Sequence, residues 1–139
     1  MLRAGLLGSQ RWTAPVRVLI VEDEWLIAMD LAETVRQAGH EVLSIAADPD
    51  EALSAAKSGK PDLVLMDLRL SNGTSGVEAA RRLWEEARLR CIFVSANLDI
   101  PTLDSLKAYD PLGFVAKPIL PARLRQAMGV AEIALAASA

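Results

Sequence analysis

The sequence predicts an α/β domain, a doubly wound parallel sheet of five strands covered by five helices. Two observations predict it. Short continuous apolar runs alternate with helix-patterned segments five times, and strands apolar on both sides belong to a sheet buried on both faces. Acidic, hydroxyl and ammonium side chains also stand at or just beyond the ends of those runs, where open α/β sheets hold their chemistry. At 139 residues, with 52% apolar and 24% charged side chains, the chain makes one folded domain with a real core.

Taken in order, residues 1–15 read as a flexible arm ending at Pro15, with the packing of Trp12 left open. A β-branched run predicts the first strand over 16–21. Residues 25–37 carry Leu26, Met29 and Val35 at helical spacing, and Gly39 supplies the stop. His40, just beyond, reads as a surface loop residue. The second strand is expected over 41–47, around Val42, Leu43 and Ile45. Asp48-Pro49 then opens a helix to about residue 58, because Pro suits a first turn, and Gly59-Lys60-Pro61 ends it. The third strand, 62–66, leads into Asp67 and a polar, glycine-bearing stretch with Ser71, Asn72, Gly73, Ser75 and Gly76. A helix follows over 77–87, then a strand over 91–94 that opens with Cys91, a small buried hydrophobe. A short helix at 101–108, a short strand at 113–116 and an alanine-rich helix at 120–137 complete the pattern.

Composition removes several function classes. A net charge of −3 with scattered Lys and Arg gives no electrostatic case for direct nucleic-acid binding. No apolar stretch approaches the ~20 residues that span a bilayer. The single cysteine forbids an intramolecular disulfide or a thiolate metal cluster, and cytoplasm is the expected compartment.

The chemistry gathers at the strand ends. Glu22, Asp23 and Glu24 follow the first strand directly, and desolvating adjacent acids is costly unless a cation compensates. Glu24 alone is explained by the helix dipole; Glu22 and Asp23, between strand and helix, are better explained as ligands to a divalent metal with Asp67 as the third carboxylate. Hard oxygen donors favour Mg²⁺. Asp67, Ser95 and Lys117 each have an ordinary explanation, as a turn residue, a strand-end hydroxyl and a surface lysine. Together with Glu22 and Asp23, at four strand ends, they fit phosphoryl chemistry on a carboxylate: Asp67 accepts, the metal and Lys117 neutralise charge, and Ser95 donates a hydrogen bond.

The ordered set Val21-Glu22-Asp23-Glu24, Met66-Asp67, Val94-Ser95-Ala96 and Lys117-Pro118 resembles the receiver domain of bacterial two-component response regulators, over residues ~16 to 137. The resemblance implies the flavodoxin-like strand order 2-1-3-4-5, Mg²⁺ at Glu22, Asp23 and Asp67, and phosphorylation of Asp67 by a histidine kinase or phosphotransfer protein. It also implies that Ser95 and Phe114 act as switch residues and that the Lys117-Pro118 bond is cis. Some positions depart from the commonest pattern. Glu22 is longer than an aspartate, which shifts the metal slightly, and Trp25 stands where proline is common. The segment 68–76 is similar to that of a proteobacterial stress and sensor-kinase-linked subgroup. Arg69 and Asn97, each two residues past a site residue, are expected to modulate phosphate lifetime. Pro101 and Pro111 bracket a short helix, so the output face is expected to be unusual.

The function implied is a stand-alone, chemotaxis-regulator-like response regulator that signals to a protein partner, with no catalysis beyond its own phosphorylation and slow autodephosphorylation. Phosphate shuttling, a receiver fragment of a hybrid kinase, a non-phosphorylated scaffold and a homodimer remain open. An aspartate-nucleophile phosphatase of the haloacid dehalogenase type is disfavoured, because it wants an acid where Arg69 stands.

Overall fold

The computed structural model describes residues 15–70 and 75–138. The expected arm up to residue 14, with Trp12, and the stretch 71–74, with Asn72 and Gly73, lie outside the described residues. The elements run β1 (Arg17–Val21), α1 (Trp25–Gln37), β2 (Glu41–Ala46), α2 (Pro49–Gly59), β3 (Leu63–Asp67), α3 (Gly76–Ala87), β4 (Cys91–Ser95), α4 (Ile100–Leu106), a 3-10 turn (Lys107–Tyr109), β5 (Gly113–Ala116) and α5 (Pro121–Ser138). All pairings are parallel and the order is β2-β1-β3-β4-β5, so the expected fold and strand order hold. The chain leaves β1 for β2 on one side and returns to β3 on the other. That reversal opens a crevice beyond the carboxyl ends of β1 and β3.

The sheet is buried on both faces at its centre because β1, β3 and β4 are apolar along their length, with polar residues only at their ends, Arg17, Asp67 and Ser95. Side chains alternate faces along a strand. Leu19, Val21, Val64, Met66 and Phe93 therefore meet Ala52, Leu53 and Ala56 of α2, Ala79, Ala80 and Leu83 of α3, and Leu106 of α4. Val18, Ile20, Leu63, Leu65, Ile92 and Val94 meet Leu31, Ala32 and Val35 of α1 and Leu124, Met128 and Ala131 of α5.

Local chemistry sets the boundaries. Asp48 accepts a hydrogen bond from the Glu51 N–H at 2.8 Å, and Glu51 Oε1 accepts from the Ala47 N–H at 2.8 Å, a reciprocal cap that starts α2. The left-handed residue that ends α2 is Lys60, at φ +51°. Gly59 serves packing instead: a Cβ there would lie 2.4 Å from Leu43 Cδ2. Strand β3 runs one residue beyond the expected end, so Asp67 is its last residue. Helix α4 starts at Ile100, capped by Asp99, and buries only Leu106 before the 3-10 turn, in keeping with the short helix expected.

Two expectations are corrected. Helix α1 spans the expected residues, but Leu26 and Met29 are exposed at 78% and 38%. The inward stripe is Ala28, Leu31, Ala32 and Val35, at the i, i+3, i+4, i+7 spacing, and Leu26 and Met29 fall off it. His40 is not a surface loop residue, for its side chain is only 7% exposed. Its Nδ1 accepts a hydrogen bond from the Val16 N–H at 3.0 Å, and its Nε2 lies 3.3 Å from Glu132 Oε1, joining the entry to β1 with α5.

Candidate functional site

The carboxyl ends of β1, β3, β4 and β5 bring Glu22, Asp67, Ser95 and Lys117 to one edge of the sheet. Glu22 follows β1 immediately, and its N–H donates to the Ala46 carbonyl at 2.9 Å, so its backbone continues the sheet. Its side chain folds back, and Oε2 accepts from the Glu24 N–H at 3.0 Å, closing the turn into α1. The other oxygen, Oε1, is buried without a hydrogen bond and has the Lys117 ammonium 3.6 Å away. Burial is the chief reason the Glu22 carboxyl is pushed from 4.5 to about 7. The Glu24 N–H opposes that, the negative charge of Asp67 adds to it, and the Lys117 ammonium opposes it.

Asp67 is held from both sides. It is 3% exposed; Oδ1 accepts from the Arg69 N–H at 3.0 Å, and Lys117 Nζ donates to Oδ2 at 3.2 Å. The backbone beyond it stays tied to the sheet, with the Leu68 N–H donating to the Val94 carbonyl at 3.1 Å. Lys117 is positioned by its own N–H, which donates to the Ser95 carbonyl at 2.9 Å, and the Lys117-Pro118 bond that follows is cis, as expected. Ser95 is 5% exposed, and its hydroxyl is engaged locally: Oγ accepts from the Asn97 N–H at 3.1 Å and donates to the Asn97 carbonyl at 3.3 Å.

One carboxylate oxygen from each of Glu22, Asp23 and Asp67 lies within 4.8 Å of the others. Glu22 and Asp67 both face the ammonium of Lys117, and Asp23 brings a third carboxylate to the cluster. A hard divalent cation matches this all-oxygen donor set. The bare, buried Oε1 of Glu22 is the atom that most needs such a partner. The residues present therefore fit the expected metal.

The remaining predicted residues stand further out. Arg69 is exposed and meets the site through its backbone N–H; Asn97 is exposed and meets Ser95 through its backbone. Phe114 is 37% exposed and stacks on Phe93 with ring centroids 5.8 Å apart, so it is not the core residue its strand position suggests. Among the described residues, β5 is an edge strand of the sheet. Gly76, in the glycine-bearing stretch after Asp67, is the first residue of α3. Its N–H donates to the Leu68 carbonyl at 3.1 Å, and a Cβ on it would sit 2.1 Å from the Asp67 carbonyl oxygen. The one sequence signal for this was a glycine, a poor helix former, directly after the Ser75 cap.

This fold, with acids just beyond β1 and at the end of β3 and a lysine just beyond β5, defines a receiver. The response regulator receiver domain model matches residues 18–129, and the chain belongs to that family. It is 35% identical over 104 residues to the transcriptional regulatory protein PdtaR of Mycobacterium tuberculosis, covering 75% of this chain and 50% of that protein. It is 36% identical over 108 residues to the phyllosphere-induced regulator PhyR of Methylorubrum extorquens, covering 77% and 40%. The chain thus spans half or less of these two relatives. It is 31% identical to the chemotaxis protein CheY of Thermotoga maritima, covering 81% and 93%. Among solved structures, the signal receiver domain of a modulated diguanylate cyclase from Desulfovibrio desulfuricans superposes with a TM-score of 0.80 at 31% identity, covering 91% of this chain and all (100%) of that one. The chain is a receiver of phosphorylation-based, two-component signalling. Among the described residues no helix is long and apolar enough to cross a membrane.

Proposed function

We propose that Asp67 is the phosphoacceptor of this receiver, that Glu22, Asp23 and Asp67 hold Mg²⁺, and that a histidine kinase or phosphotransfer protein is the donor. The observation that carries the proposal is the pairing of Asp67 Oδ2 with Lys117 Nζ at 3.2 Å, inside a three-carboxylate cluster at the sheet's switch point. In the reaction a carboxylate oxygen of Asp67 attacks phosphorus. The P–N bond to the donor imidazole breaks, its electron pair leaves with the ring nitrogen, and an acyl phosphate remains. The bound cation supplies neutralisation of phosphoryl charge. Lys117 sits where it can follow that charge onto the new phosphoryl oxygens, and the work is positioning and electrostatics.

Ser95 and Phe114 are the proposed readout. The Ser95 hydroxyl leaves Asn97 for a phosphoryl oxygen, and Phe114, held on Phe93 at the rim, repacks toward the space released. Phosphorylation biases two packings of this face and does not create a new one. Output is proposed to be contact with a protein target. Phosphate shuttling and a role within a longer protein are proposals of the same standing, and the cytoplasm is the proposed compartment. Turnover of other substrates is not proposed, since Arg69 occupies the place where a phosphatase needs a second acid.

The test is transfer from a labelled, autophosphorylated histidine kinase. Label should reach the chain in Mg²⁺ and not in EDTA, and hydroxylamine should release it, as it does an acyl phosphate. Label resistant to hydroxylamine, the signature of a hydroxyl ester on a residue such as Ser95, would sink the proposal.

A further inference from the structure

We propose that Gly76 is a positioning residue for the Asp67 carboxylate, an inference that rests on Asp67 being the acceptor. Gly76 is the first residue of α3, capped by Ser75, whose Oγ accepts from the Val77 N–H at 3.1 Å. A Cβ there would lie 2.1 Å from the Asp67 carbonyl oxygen, 2.6 Å from Leu68 Cα and 2.9 Å from the Asp67 carbonyl carbon. All three atoms are backbone, at the last residue of a strand whose every residue is buried and at Leu68, the residue after it. Nothing there can rotate away, in contrast to Gly59, whose neighbour is the flexible end of Leu43.

The close approach is also bonded. The Gly76 N–H donates to the Leu68 carbonyl at 3.1 Å, and Arg69 pairs with Ser75 as an isolated antiparallel bridge. The chain that leaves β3 at Asp67 therefore returns to the same backbone at Gly76. Arg69, the residue after Leu68 and the bridge partner of Ser75, is the one whose N–H fixes Asp67 Oδ1 at 3.0 Å. Gly76 and Ser75 hold the backbone at Leu68 and Arg69, and the Arg69 N–H orients the carboxylate toward Lys117. The glycine is required for the absence of a side chain, not for an unusual backbone angle.

A methyl at residue 76 forces strand end and helix start apart by about 1 Å, a displacement that in an active site costs on the order of 10²-fold in rate. The experiment compares Gly76→Ala with Ser75→Ala, which weakens the same helix start but adds no atom against Asp67. Phosphorylation by acetyl phosphate in Mg²⁺ is timed at a temperature where circular dichroism shows both variants folded. Gly76→Ala is made in both the wild-type and a Gly129→Ala background, the latter to offset lost stability. Gly76→Ala should be phosphorylated roughly 10- to 100-fold more slowly and Ser75→Ala at nearly the wild-type rate. Equal rates in Gly76→Ala and wild type, or equal slowing in both variants, would overturn the positioning role. Absence of phosphate uptake by wild type itself would instead strike at the acceptor assignment.

Discussion

Replacing Glu22 with glutamine should remove a pH-dependent weakness of the metal-free domain. The carboxyl is pushed from 4.5 to about 7, chiefly by burial. A carboxyl raised in the folded state gives stability that is fully present below its unfolded value near 4.5 and is lost as pH climbs through about 7. The full shift converts to about 3 kcal/mol. Asp23 is half-buried and Lys117 partly exposed, so solvent at the mouth of the cluster reduces that to ~1–2 kcal/mol. For a domain of this size the corresponding fall in Tm is about 4–8 °C between pH 5 and pH 8. The assay is thermal unfolding in EDTA at both pH values, read as the difference between wild type and Glu22→Gln so that other titrations cancel. The variant should match wild type at pH 5 and exceed it at pH 8, and saturating Mg²⁺ should abolish the wild-type deficit. Parallel pH curves for wild type and variant in EDTA would refute the assignment of burial stress to Glu22.

Other perturbations separate the parts of the account. Lys117→Met removes the ammonium beside Asp67 and Glu22, so Mg²⁺ affinity, read by Trp25 fluorescence, should rise several-fold while phosphorylation by acetyl phosphate slows. His40→Ala leaves the buried Val16 N–H without its acceptor and should cost ~1–3 kcal/mol in urea unfolding. His40→Asn, whose carbonyl can take the Nδ1 place, should recover part of that loss, and equal losses in both variants would contradict the bond. Gly129→Ala, in α5 with nothing within 4 Å of its Cβ position, should stabilise by ~0.5–1 kcal/mol.

What the sequence revealed was what local pattern encodes. The bounds of α1 and β5 could be read residue by residue, because apolar runs, Gly39 and the turns between them are short-range signals. The order of strands and the meeting of Glu22, Asp67, Ser95 and Lys117 followed from the α/β pattern and the resemblance, since parallel winding carries every carboxyl end to one edge. The inward face of α1 was misjudged because Leu26 and Met29 are larger than the alanines at Ala28 and Ala32, and hydrophobicity outweighed spacing. His40 was missed because its partners lie far along the chain, Val16 being 24 residues away, and no periodicity reports such a bond. Gly76 was missed for the same reason: its constraint is a tertiary contact with Asp67, visible only once α3 is laid back on β3. The local ring between Ser95 and Asn97 was also hidden, since it runs through Asn97's backbone and not its side chain.

The most direct test of the central claim is the intact mass of the chain after acetyl phosphate and Mg²⁺, with the modified residue located by fragmentation. The account predicts one added phosphoryl group, on Asp67, in wild type and none in Asp67→Asn. No uptake by wild type, or uptake that persists to the same extent in Asp67→Asn, would contradict it.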